Sequence, residues 1–148
     1  MYRSILVPLD GSRRSEAILP QVESLAVQCK ARLVLLGVLE PLPQHAAAVA
    51  PELLASGAHQ RADDIRQYVH ELQEQLTAKG LAVSAIVKRG AVVDTILETA
   101  ISENIELIAM ASHGYTGLAR LLHGSVASDV LHRARVPLLV LHAENDEE

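Results

Sequence analysis

The chain has 148 residues, 49% of them hydrophobic and 21% charged, with a formal net charge of −5. That length buries a core without disulfide or metal staples. The acidic balance, with three tyrosines and neither phenylalanine nor tryptophan, excludes a basic, base-stacking nucleic-acid platform, and the single cysteine, Cys29, excludes an intrachain disulfide or a cysteine metal cluster.

In chain order, the first strand is predicted at Ser4–Leu9. A helix follows over Glu16–Cys29, with Leu19, Val22, Leu25, Ala26 and Cys29 on one side; Pro20 is expected to kink it near its start by removing one backbone hydrogen bond. The second strand is Arg32–Leu39. Pro41–Gly57, with Pro41, Pro43 and Pro51 around an alanine-rich middle, reads as a long mobile connection containing one helical turn, compatible with a lid, a partner surface or a plain insertion. The next helix, Ala62–Lys79, aligns Ile65, Val69, Leu72 and Leu76 and ends at Lys79-Gly80, a positive last turn followed by a C′ glycine. The third strand, Ala82–Lys88, leads to a helix over Val93–Asn104 carrying Ile96, Leu97, Ala100 and Ile101. The fourth strand, Leu107–Ala111, leads to a helix over Ser125–Arg135, with Ser125 as its expected N-cap. The fifth strand is Pro137–His142, and Glu144–Glu148 reads as an acidic disordered tail.

These strands are rich in Val, Ile and Leu rather than strictly alternating, the pattern of parallel strands covered on both faces. The alternation of strand and helix predicts one α/β domain over residues 1–143, a parallel sheet with helices on both faces. The strand pattern already under way at Ser4 leaves no room for a signal peptide, and no apolar run approaches the ~18 residues of a membrane span. The expectation is a cytoplasmic protein without membrane insertion.

The segment from Ala111 to Ser125 (Ala-Ser-His-Gly-Tyr-Thr-Gly-Leu-Ala-Arg-Leu-Leu-His-Gly-Ser) runs from an apolar strand into a helix start. Glycines there allow close backbone approach and the first N–H groups of a helix attract anions, which suits nucleotide phosphates. Taken alone, the glycines fit an ordinary strand-to-helix turn better than a ligand site. In a doubly wound sheet, ligands bind beyond the carboxyl ends of the strands where strand order reverses. That places the 111–125 segment opposite Pro8-Leu9-Asp10-Gly11-Ser12 and near Val38 and Leu39. Asp10 can accept from a ribose hydroxyl or an exocyclic amine, or serve as a turn or N-cap residue.

Together these residues resemble the universal stress protein family over nearly the whole chain. The resemblance rests on Ile5-Leu6-Val7-Pro8-Leu9-Asp10-Gly11-Ser12, on Lys88-Arg89-Gly90, on the 111–125 segment and on Val136-Pro137-Leu138-Leu139-Val140-Leu141. The family's nucleotide-binding branch carries glycine, two residues, glycine, nine residues, then glycine and a small hydroxyl residue. Gly114, the nine residues after it and Gly124-Ser125 match, while Ala111 stands at the first glycine position. The resemblance implies a Rossmann-like fold of the adenine nucleotide alpha hydrolase-like type, five parallel strands in the order 3-2-1-4-5. It implies ATP, ADP or AMP as ligand, with Mg or Mn carried by the phosphates. Pro8, Asp10 and Val38 would then hold the adenosine part, Met110 the adenine, and Ala111 the ribose and α-phosphate. Gly114, Gly124, Ser125 and Val126 would supply donors to the phosphates. It also implies a homodimer through Pro137–His142 and regulation of a protein partner in a stress response.

The catalytic content is sparse. The chain has no His-Glu-x-x-His, Walker loop or Gly-x-Ser-x-Gly elbow. His113, Arg120 and His123 bracket or lie within the glycine-bearing segment and can face a phosphate or solvent, and His132 has no metal-ligand spacing with them. No catalytic residue and no protein metal ligand is assigned, and slow ATP hydrolysis is the most activity expected. The alternative of the same fold is an interaction module that binds no nucleotide.

Overall fold

The computed structural model describes residues 1–41, 51–113 and 126–143. Five parallel strands, β1 (Ser4–Leu9), β2 (Arg32–Leu39), β3 (Val83–Arg89), β4 (Leu107–His113) and β5 (Leu138–Ala143), form one sheet in the order β3-β2-β1-β4-β5. This is the Rossmann-like arrangement anticipated above. Around it lie α1 (Arg13–Glu16), α2 (Leu19–Cys29), α3 (Pro51–Ala78), α4 (Val92–Ser102) and α5 (Val126–Arg133).

Successive residues of a strand point to opposite faces, and both faces are buried here. Ile5, Val7 and Leu9 of β1, with Leu33 and Leu35 of β2, meet Val22 and Ala26 of α2 and Leu72 and Leu76 of α3. The residues between them, Leu6, Val34 and Leu36, join Ile108 and Met110 of β4 against Ile96 and Ala100 of α4 and Ala127 and Val130 of α5. One hydrophobic layer on each side of the sheet thus accounts for strands that read as continuous apolar runs.

Glycine sets how closely α3 lies on the sheet. A Cβ at Gly37 of β2 would come within 2.8 Å of Ile65 Cγ1, so α3 packs at a height that only a residue without a side chain permits. That contact carries Arg61, one turn before Ile65, out past the end of β2.

Three helices end in the same way. Lys30, Gly80 and Asn104 adopt positive φ, at 55°, 91° and 52°. The next N–H in each case returns five residues, from Ala31 to the Ala26 carbonyl, from Leu81 to Leu76 and from Ile105 to Ala100, the hydrogen bond of a Schellman motif. Each thereby turns the chain directly into the following strand.

Several boundaries differ from those predicted. The first helix is interrupted rather than kinked: α1 ends at Glu16, and α2 begins at Leu19 with Pro20 in its first turn. Proline has no N–H to offer the Glu16 carbonyl, but at a helix start that donor would be unused anyway. The second long helix begins at Pro51 rather than Ala62, so Pro51–Gly57 is helix and not loop. Alanine, leucine and glutamate favour helix there, and proline is well suited to the first turn. The third predicted helix stops at Ser102, because Asn104 takes the left-handed conformation. Strand β4 runs two residues beyond its predicted end, to His113, and β3 and β5 are each displaced by one. The predicted N-cap Ser125, residues 42–50 of the predicted connection, and the tail 144–148 lie outside the described residues.

Candidate functional site

The sheet opens where the strand order reverses. β1 pairs with β2 along its full length, from Ser4↔Arg32 to Leu9↔Gly37. Against β4 it pairs only at Ile5↔Leu107 and Leu6↔Ile108. Beyond Leu6 and Ile108 the two strands part, and a cleft forms at their carboxyl ends, the position where such sheets bind ligands.

A cavity of about 110 Å³ occupies this cleft. Pro8, Asp10, Val38, Met110, Ala111 and Val126 line it together, from β1, the loop after it, β2, β4 and α5. Gly114, Gly124 and Ser125, with Arg120 and His123, lie outside the described residues. Sequence reasoning missed Ser15, Leu36, Val92, Ile96, Ser112 and Ala127, which also line the cavity. Val92 and Ile96 are one helical turn apart on α4; Ile96 was legible as part of an apolar helix face but not as a cavity wall, and Val92 lies one residue before the predicted helix start.

The loop after β1 is held by its own short polar side chains. Asp10 Oδ1 accepts the Ser12 N–H at 2.8 Å, an Asx turn, across Gly11 at φ 87°. Ser12 caps α1: its Oγ accepts from the Ser15 N–H at 3.2 Å, and the Ser15 hydroxyl donates to the Ser12 carbonyl at 2.9 Å. The N-cap role open to Asp10 thus falls to Ser12, and Asp10 is left exposed at the rim of the cleft.

Helix α3 reaches the end of α1, just beyond this loop. The Tyr68 hydroxyl donates to Glu16 Oε1 at 2.8 Å. Burial first, then the neighbouring Glu16 carboxylate, hold that hydroxyl well above the ordinary phenol value, so it remains a donor. A second cleft, of about 390 Å³, shares Asp10 and Val38 with the first and is walled by Leu39, Arg61, Asp64 and Tyr68.

Ala111, where the family pattern has glycine, sits inside β4 opposite Leu141. Its backbone is not among those with positive φ, so alanine carries no conformational penalty there. Ser112 and His142, register partners on β4 and β5, approach to 3.4 Å between Oγ and Nδ1. Among the described residues no three His, Cys, Asp or Glu side chains converge as a metal site. No helix among them is long and apolar enough to cross a membrane.

Comparison with known protein families matches residues 1–142 to the universal stress protein family. The chain belongs to that family. Among other universal stress proteins, it is 26% identical over 160 residues to MJ0577 of Methanocaldococcus jannaschii, covering 98% of each chain. It is 29% identical to Rv1636 of Mycobacterium tuberculosis, covering 95% of this chain and 97% of that one. The solved structure of MJ0577 superposes with a TM-score of 0.82 over 99% of both chains. A universal stress protein crystallised in complex with cAMP superposes with a TM-score of 0.73 at 22% identity, over 97% of this chain and 98% of that one; at that identity the likeness is one of fold.

Proposed function

We propose that this universal stress protein is a regulatory module that binds ATP or another adenine nucleotide in the cleft between β1 and β4. The observation that carries the reading is the parting of those two strands, which gathers Pro8, Asp10, Val38, Met110, Ala111 and Val126 around one cavity at the switch point. The chemistry fits an adenosine group. Leu36, Val38, Ile96 and Met110 offer apolar walls to a base, and the Asp10 carboxylate at the rim suits a ribose hydroxyl or an exocyclic amine. Gly114, Gly124 and Ser125 would supply donors to the phosphates, and Mg or Mn would ride on the phosphates. A bound nucleotide supplies charge and shape rather than a reaction, and no residue here is assigned a catalytic role. That a protein of this fold was solved with cAMP is in keeping with an adenine ligand. The test is to purify the protein without added nucleotide, denature it and identify what is released by mass spectrometry, followed by calorimetry with ATP. A near-stoichiometric adenine nucleotide is expected. An empty protein that also fails to take up ATP would overturn the reading in favour of an interaction module of the same fold.

The same reading has the protein act in the cytoplasm as a homodimer that signals to a protein partner. β5 is the edge strand after β4, and Leu139 and Val140 on it are exposed. An apolar sheet edge invites pairing with another strand. Val140→Lys is expected to give a monomer in sedimentation velocity where the wild type is a dimer; a dimer that survives the substitution would remove β5 from the interface.

A further inference from the structure

At the end of the sheet away from the nucleotide cleft, α4 and the turn from α5 into β5 enclose a groove of about 510 Å³. Its walls include Leu97, Ile101, Ile105 and Val136, and its charged members are Arg133 and Arg135. No carboxylate lines it among the described residues. In a chain of net charge −5, this apolar channel has two arginines as its charged lining, one of them paired with Asp94 beside the groove.

Two details favour an occupant over a plain surface crease. Ile101 on α4 is 74% exposed, although its helix neighbours Ile96 and Ala100 are buried in the core. A large aliphatic side chain at the rim of an apolar groove is an anchor point of the kind that protein contacts cover. The arginines are also differently employed. Arg133 Nη2 donates to Asp94 Oδ1 at 2.7 Å, which ties that guanidinium to α4. Arg135 makes no ion pair among the described residues. A planar guanidinium without a carboxylate beside an apolar channel is suited to a carboxylate brought by something else.

We propose that this groove docks a protein segment in which apolar side chains are flanked by carboxylates, the apolar residues seated against Leu97, Ile101 and Ile105 and an acidic one reaching Arg135. The mode is that of an amphipathic segment laid into a groove. The docking surface stands on its own chemistry and does not depend on nucleotide binding at the opposite end of the sheet.

The test uses the full chain and two labelled synthetic peptides, EELIEELLEE and its charge-inverted counterpart KKLIKKLLKK, in fluorescence anisotropy titrations. Wild-type protein is expected to bind the acidic peptide saturably and the basic peptide at least about tenfold more weakly. Ile101→Ser and Arg135→Glu, both at exposed positions, are each expected to weaken the acidic peptide by about tenfold or more with an unchanged thermal midpoint. Failure of the acidic peptide to saturate, equal affinity for the two peptides, or variants that bind like wild type would each overturn the proposal. So would self-association that sedimentation shows to be lost in Ile101→Ser, because the groove would then belong to a second copy of this chain.

Discussion

Leu36→Ala is expected to cost about 2–5 kcal/mol of folding stability and also to weaken ATP binding about tenfold, whereas Leu35→Ala should cost as much stability and leave affinity unchanged. The two leucines are consecutive on β2 and both fully buried. Leu35 belongs to the layer beneath α2 and α3, and Leu36 to the layer beneath α4 and α5. Only Leu36 also borders the cleft between β1 and β4. For a chain of this size each kcal/mol lowers the thermal midpoint by roughly 2–4 °C, so both losses are measurable by calorimetry. Affinity is read separately by isothermal titration well below either midpoint. A further check comes from mass action, since a ligand bound only by the folded state raises the midpoint according to its affinity. Saturating ATP should raise the midpoint of Leu35→Ala by the wild-type increment and that of Leu36→Ala by less. Equal affinities in the two variants would show that the nucleotide does not contact this face of the sheet.

Gly124→Val is expected to reduce ATP affinity at least a hundredfold, about 2.7 kcal/mol, with the urea midpoint unchanged. Backbone N–H groups can reach a phosphate only where no side chain stands in the way, and a branched Cβ at this position of the family pattern obstructs that approach. Isothermal titration with ATP measures the loss, and urea unfolding followed by circular dichroism checks the fold. Retained affinity would place the phosphates away from Gly124; a lowered midpoint would mark the glycine as a folding residue instead.

The sheet was legible because its residues are selected by one strong requirement, burial on both faces. Ser4–Leu9 and Arg32–Leu39 carry aliphatic side chains at nearly every position, and both match the observed strands. The Ala55–Arg61 stretch of α3 was illegible for the complementary reason. Most of Ala55–Arg61 is exposed, and a helix with no face to bury writes no 3.6-residue period into its sequence. The division between α1 and α2 could be read only in part, since Pro20 marks a break but not how the chain resumes on the far side of it. For the cleft, Pro8, Asp10, Val38 and Ala111 followed from the switch-point rule for doubly wound sheets, and Met110 and Val126 from the family resemblance. Leu36, Val92 and Ile96 did not, because an apolar residue under a helix and one beside a cavity look alike in sequence. What separates them is where β1 and β4 part, which is set by the packing of the whole sheet.

The length of α3 gives the molecule an uneven resistance to opening. Its 28 residues amount to about 42 Å of helix at 1.5 Å per residue, whereas strands of six to eight residues extend only some 20–27 Å. The second half of the helix is fastened by Val69, Leu72 and Leu76, all buried, and its amides can exchange with solvent only when the core itself opens. The turns from Ala55 to Arg61, mostly exposed, have few buried side chains to fasten them and can open at lower cost than the half that follows. Amide protection should therefore climb along this one helix from nearly none to that of the global fold. Arg61, on the wall of the second cleft, sits where that gradient begins to rise, so the cleft can be unmade and remade one turn at a time while the sheet beneath it stays intact.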